Sequence, residues 1–163
     1  MSHFLGTHLN RIDAKGRVSI PAPFRASLRA LSVEGIAPLV LRQSHTFACV
    51  EGWPARVFEE LATPLDRLDV FGEDHEDLAQ VLYSDAYPVE ADKEGRIVLP
   101  EPLVRHAGLA DGVVFMGMGR TFQIWEPEAA ERRRAEARER ARAKRLTLAG
   151  GNMVVLAPPV VPA

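Results

Sequence analysis

The sequence holds a single cysteine, Cys49, among 163 residues, so no internal disulfide framework is possible. Cys49 lies in an apolar stretch, where a small buried side chain is the plain reading and a nucleophile is not. Long hydrophobic runs are missing too. Nothing approaches the roughly eighteen uninterrupted apolar residues that a membrane helix needs. No basic start leads into an apolar stretch, so no signal peptide is expected, and a cytoplasmic chain follows. The histidines, His3, His8, His45, His75 and His106, are scattered. None has a metal-binding spacing, and Asp74-His75-Glu76 reads as a solvated acidic turn. Gly117-Met118-Gly119 leads into a strand pattern rather than a helix, so it is no phosphate loop. No cofactor is implied. Net basic charge is also lacking: the formal charge is −2. That argues against a general nucleic-acid coat, which would be basic throughout.

What the chain does contain is one nine-residue stretch written twice, 79 residues apart. The first copy runs Asp13-Ala14-Lys15-Gly16-Arg17-Val18-Ser19-Ile20-Pro21. The second runs Asp92-Lys93-Glu94-Gly95-Arg96-Ile97-Val98-Leu99-Pro100. Asp followed three residues later by Gly suits a tight turn, with the carboxylate accepting from backbone amides and glycine taking the left-handed position. Asp13, Gly16, Asp92 and Gly95 are therefore turn formers. Beyond each turn the alternation sends Val18 and Ile20, or Ile97 and Leu99, to one face. Arg17 and Ser19, or Arg96 and Val98, go to the other. Pro21 and Pro100 end their strands. Each copy reads as a β-hairpin with an arginine just past the turn, facing away from the core.

The flanks repeat as well. Pro21-Ala22-Pro23-Phe24 matches Pro100-Glu101-Pro102-Leu103, and proline at a first helical position opens a helix. Phe24, Leu28 and Leu31 share one helical face, over 23–31. Leu103 and Ala107 share another, with Gly108 as C-terminal cap. Gly35 and Pro38 break the pattern, and strands are expected at 39–41 and 46–50. Pro54 opens a second helix with Val57, Phe58 and Leu61 inward, and Pro64 ends it. Leu65, Leu68 and Phe71 suggest a short apolar turn. An acid-headed helix follows, with Leu78, Val81 and Leu82 as its apolar face. Strands are expected at 113–116 and 121–125. Thr46 to Val50 resembles Thr121 to Trp125 as a closing strand. Residues 128–146 are nearly all Ala, Glu, Arg and Lys, a solvated helix. The glycines and prolines after it predict a tail without regular structure. The expected organisation is a first repeat at 4–53, a packed helical connector at 54–83 and a second repeat at 84–127. A charged helix at 128–146 and a tail at 147–163 complete it.

Charge is unevenly distributed. Residues 8–29 carry five basic side chains and one acid, whereas 51–77 carry nine acids and two arginines. A local field steers a polyanion even when the total is acidic. A two-stranded ribbon fits the major groove of B-DNA, where arginine can bond guanine O6 and N7 together. Arg17 and Arg96, at equal offsets of two turns, suit that role. Lys15 at the tip suits phosphate, Lys93 is a further DNA-binding candidate, and Arg11, one strand back, suits phosphate or base. Arg25 and Arg29 read equally as phosphate contacts or a solvated helix face.

The motif D-x-K-G-R-[VI]-x-[IL]-P resembles the MraZ family, of the wider AbrB/SpoVT group of swapped-hairpin DNA-binding domains. Phe4-Leu5-Gly6 ahead of the first copy and Arg105-His106-Ala107-Gly108-Leu109 after the second strengthen the match, which spans about 4–127. The second copy departs at Glu94, where the first has Lys15. The resemblance implies a mainly β fold with peripheral helices, in which two swapped-hairpin half-barrels form an intrachain pseudo-dimeric β-barrel. It also implies a nucleoid-associated regulator of the division and cell-wall gene cluster, bound to double-stranded DNA and assembled as a ring-like homo-oligomer larger than a dimer.

Two rivals deserve weight. One is a protein-interaction module of antitoxin-like AbrB type, although such chains usually carry one copy and a disordered tail. The other is an acid dyad built from Asp13 and Asp92. Each aspartate is explained by its turn and lies beside basic residues that lower its pKa, whereas a shared-proton dyad needs one raised. No enzyme is expected.

Overall fold

The computed structural model describes residues 3–32, 38–149 and 152–155. It comprises two compact units, Met1–Pro127 and Glu128–Ala163. The first unit opens with β1 (Thr7–Arg11) and β2 (Arg17–Ser19), then helix α1 (Ala22–Leu31). Strands β3 (Leu39–Gln43) and β4 (Val50–Pro54) follow. The connector holds α2 (Ala55–Glu59), α3 (Ala62–Asp66), α4 (Glu73–Ala79) and a π-helical turn at Gln80–Ser84. The second copy supplies β5 (Ala86–Val89), β6 (Arg96–Val98), α5 (Glu101–Ala107), β7 (Gly112–Gly117) and β8 (Phe122–Trp125).

All strand pairs are antiparallel, and the fold is mainly β with peripheral helices. Six strands form one sheet in the order β1-β7-β8-β4-β3-β5, while β2 and β6 make a separate ribbon. The hairpin expected in each copy is thus divided. The turn is present, but the strands on either side of it pair elsewhere. β1 pairs with β7 (Leu9 opposite Val114), and β2 pairs with β6 (Val18 opposite Ile97). The two copies interlock instead of closing separately, because each short strand has one apolar face to bury and finds its match in the other copy. Pro88 lies on β5, an edge strand, where its missing N–H leaves no ladder bond unmade.

One core serves both copies. Val18 and Ile20 from the first and Ile97 and Leu99 from the second are all buried. Phe4, Phe24, Phe115 and Phe122 stack nearby, with centroids 5.2 Å apart for Phe4–Phe24 and 5.8 Å for Phe115–Phe122. Burying each such ring is worth about 1.5–3 kcal/mol, far more than an exposed ion pair contributes. The core, not the surface charges, holds the unit together.

Several expectations change. The strand expected at 46–50 lies at Val50–Pro54. The Ser44 hydroxyl accepts from the amides of Thr46 and Phe47, winding that segment into a turn before the ladder begins. Pro64 does not end the second helix. It lies in the first turn of α3, where a helix leaves its amides unbonded and tolerates proline. Phe71 is 98% exposed rather than part of an apolar turn. Leu78 and Leu82 are only half-buried and Val81 is exposed, so α4 and the π-helical turn cover little core. The connector is held instead by a Trp53–Phe58–Tyr83 ring series and by Arg42, whose Nη2 donates to the Val81 carbonyl at 2.9 Å.

Helix α6 spans Pro127–Ala143 and, from Glu128 on, belongs to the second unit. Arg145 takes a positive φ of 52° at its end, turning the chain into β9 (Leu146–Ala149). β9 pairs with β10 (Asn152–Val155), so part of the tail expected to lack regular structure is a strand pair. The pattern break at Gly35, and tail residues 150, 151 and 156–163, lie outside the described residues.

Candidate nucleic-acid interface

The two turns are built alike. Gly16 and Gly95 both have φ of +78°, and Gly16 and Gly95 donate to the carbonyls of Asp13 and Asp92 at 3.1 and 3.0 Å. Asp13 Oδ1 accepts from the amides of Lys15 and Arg17, both at 2.9 Å. Asp92 Oδ1 accepts from the amides of Glu94 and Arg96 at the same distance. The other carboxylate oxygen braces the arginine: Arg17 Nε donates to Asp13 Oδ2 at 2.7 Å, and Arg96 Nε to Asp92 Oδ2 at 2.9 Å. Both carboxyls are held below the ordinary aspartate range, chiefly by the amides of Arg17 and Arg96. That is the reverse of a shared-proton dyad.

The ribbon brings the turns together. Arg17 lies opposite Val98 and Ser19 opposite Arg96, on either side of the central Val18–Ile97 pair. The Gly95 carbonyl accepts from the Ile20 amide, and the Gly16 carbonyl from the Leu99 amide, both at 2.9 Å. Each turn thus fastens the strand end of the other copy. Alternation buries Val18 and Ile97 and turns Arg17, Ser19, Arg96 and Val98 outward. The two arginines occupy a diagonal of the ribbon, a spacing of about 7–8 Å between backbones. Asp13 adds to the raised pKa of Arg96, behind its own Asp92 and Glu94, so the two turns share one electrostatic site.

Lys15 and Lys93 are exposed at the turn tips, and Arg11 is exposed at the end of β1. β1 runs beside the ribbon: Asn10 Nδ2 donates to the Ser19 carbonyl at 2.6 Å. One feature was not legible locally. Arg25, on α1, donates from Nη1 to the Glu94 carbonyl at 3.4 Å, and its side chain lies so close over Gly95 that a Cβ there would strike it. That contact joins residues far apart in sequence. Val98 is an apolar side chain left 57% exposed on the polar face of the ribbon. Its parity with Arg96 in the alternation predicts that placement.

The geometry defines a class: a mainly β protein with an outward, arginine-bearing ribbon formed by two interlocked copies of one motif. Comparison with known proteins narrows it. A family model described as "MraZ protein, putative antitoxin-like" matches residues 82–149. The chain is 64% identical over 142 residues to a protein of Gluconacetobacter diazotrophicus named transcriptional regulator MraZ, covering 87% of this chain and 90% of that one. A protein of the same name from Gluconobacter oxydans is 63% identical over 142 residues, 87% of each chain. Another from Azorhizobium caulinodans is 39% identical over 152 residues, 93% of this chain and 95% of that one. The chain belongs to the MraZ family.

Proposed function

We propose that this chain is a transcriptional regulator that binds duplex DNA sequence-specifically through the β2–β6 ribbon. Its proposed target is the promoter of the division and cell-wall gene cluster that includes its own gene, with the protein in the cytoplasm on the nucleoid. The names of its relatives support the regulator. The observation that carries the DNA reading is the diagonal pair Arg17 and Arg96, half-exposed on one ribbon face and braced by Asp13 and Asp92.

A braced arginine loses less side-chain freedom when it meets a base, so its planar fork arrives already aimed. In the major groove that fork pairs with guanine O6 and N7. Val98 beside it suits a thymine methyl. Lys15, Lys93 and Arg11 flank the ribbon as phosphate contacts, which fix register without reading sequence. One subunit offers few such contacts, so affinity at physiological salt is low unless subunits combine on one duplex. The working form is therefore a homo-oligomer larger than a dimer, ring-like in the family's manner, on an operator with repeated short elements.

The test is a mobility shift at fixed salt with DNA from upstream of the chain's own gene. Arg17→Ala and Arg96→Ala should each weaken binding by about five- to hundredfold while the far-ultraviolet spectrum is kept. Folded variants that bind as tightly as the parent would remove the ribbon from the mechanism. The family model's description also fits an antitoxin-like interaction module, for which no duplex would shift specifically.

A further inference from the structure

The two turns share a backbone, but their arginines are not equally free. Arg17 is bonded through Nε to Asp13, and its terminal nitrogens make no ion pair among the described residues. Arg96 is bonded through Nε to Asp92 and through Nη2 to Glu94 Oε2 at 2.8 Å. A two-pronged contact with guanine needs two donors at once. Arg17 can present both terminal nitrogens. Arg96 has one of them already engaged.

Glu94 is held where it can do this. Its amide donates to Asp92 Oδ1, and its carbonyl accepts from Arg25 Nη1, so its backbone is fixed on both sides. Its side chain is 70% exposed and can swing away without disturbing the core. The first turn keeps the amide bond, from Lys15 to Asp13 Oδ1, but lacks the other two contacts. Lys15 stands at the place of Glu94, and at the offset of Arg25 the second copy has Val104.

Resting on the ribbon reading above, we propose that Glu94 is an internal competitor for DNA: it occupies Arg96 in the free protein and must be displaced before the second turn can read a base. The two halves of the ribbon are then unequal. Arg17 discriminates its guanine fully, and Arg96 discriminates less sharply at its position, because the lost Glu94 pair offsets part of the base contact there. Glu94 is a positioning residue that sets how strongly the second half discriminates.

The experiment is a double-mutant cycle on the same upstream duplex, with affinities measured at several salt concentrations. Glu94→Gln keeps the turn's backbone bonds and removes the charge. It should tighten binding about two- to fivefold in the parent, the range an exposed ion pair can supply. In an Arg96→Ala background that gain should largely vanish, since no guanidinium remains to release. Glu94→Lys should also steepen the salt dependence by about one contact.

An equal gain in both backgrounds would overturn the proposal, because Glu94 would then act only as bulk negative charge. No gain from Glu94→Gln, with Arg17→Ala still weakening binding, would overturn it while leaving the ribbon reading intact. Arginine variants that bind like the parent would fell both. Glu94→Ala serves as a second variant if Glu94→Gln misfolds.

Discussion

At the scale of single residues, each aspartate does two jobs through separate oxygens. One oxygen collects two amides and so makes the turn; the other aims an arginine. Both jobs require the ionised form, and both carboxyls are held below their ordinary value near about 3.9. A depressed folded pKa means that the unfolded chain binds protons first as pH falls. The stabilisation is complete above about pH 5 and is lost as pH falls below about 4, through the folded values. Thermal melts from pH 6 to 2 should show the parent losing stability in that window. Asp13→Asn and Asp92→Asn should be less stable at pH 6 and should lose less over the same range. Melts whose acid slope is the same in parent and variants would contradict the assignment.

At the scale of elements, local signals told the truth about elements and little about their partners. Pro21 and Pro100 follow the ends of their strands as the repeat predicts and stand at the N-cap positions of α1 and α5, and Gly108 closes α5 in the left-handed conformation at φ +62°. Those are short-range effects of proline and glycine backbone limits. The interlocking of β1 with β7 and β2 with β6 could not be read from spacing, because a hairpin within each copy satisfies the same alternation. The ribbon's arginines were legible by their offset. Arg25 over Gly95 was not, since only the folded chain brings them together. Close backbone approach is another feature that only the fold reveals. Gly117 lies against the backbone of Phe4, whose amide and carbonyl are both bonded to Gly119 and cannot retreat. Gly117→Ala should cost about 1–3 kcal/mol by overpacking. Denaturant unfolding measures it, and an unchanged midpoint would show that the opening segment can shift.

At the scale of the whole molecule, the proposed DNA binding calls for several subunits on one duplex. Val70 and Phe71 are 58% and 98% exposed on the connector, next to the acidic start of α4. Light scattering should give a mass above that of a dimer. The free protein should shift DNA holding several spaced elements more tightly than DNA holding one. A monomer that binds both equally would contradict the assembly. Among the described residues no helix is long and apolar enough to cross a membrane.

The central claim is that paired arginines on a two-copy ribbon read guanine from the major groove. Methylation interference tests it most directly, because methylating guanine N7 removes the atom that the arginine fork needs. With the upstream duplex, partly methylated, the bound fraction should be depleted of modified guanine at one or two positions in each repeated element. Arg17→Ala should erase the depletion at its position and leave others in place. Bound and free fractions with the same methylation pattern would contradict the account.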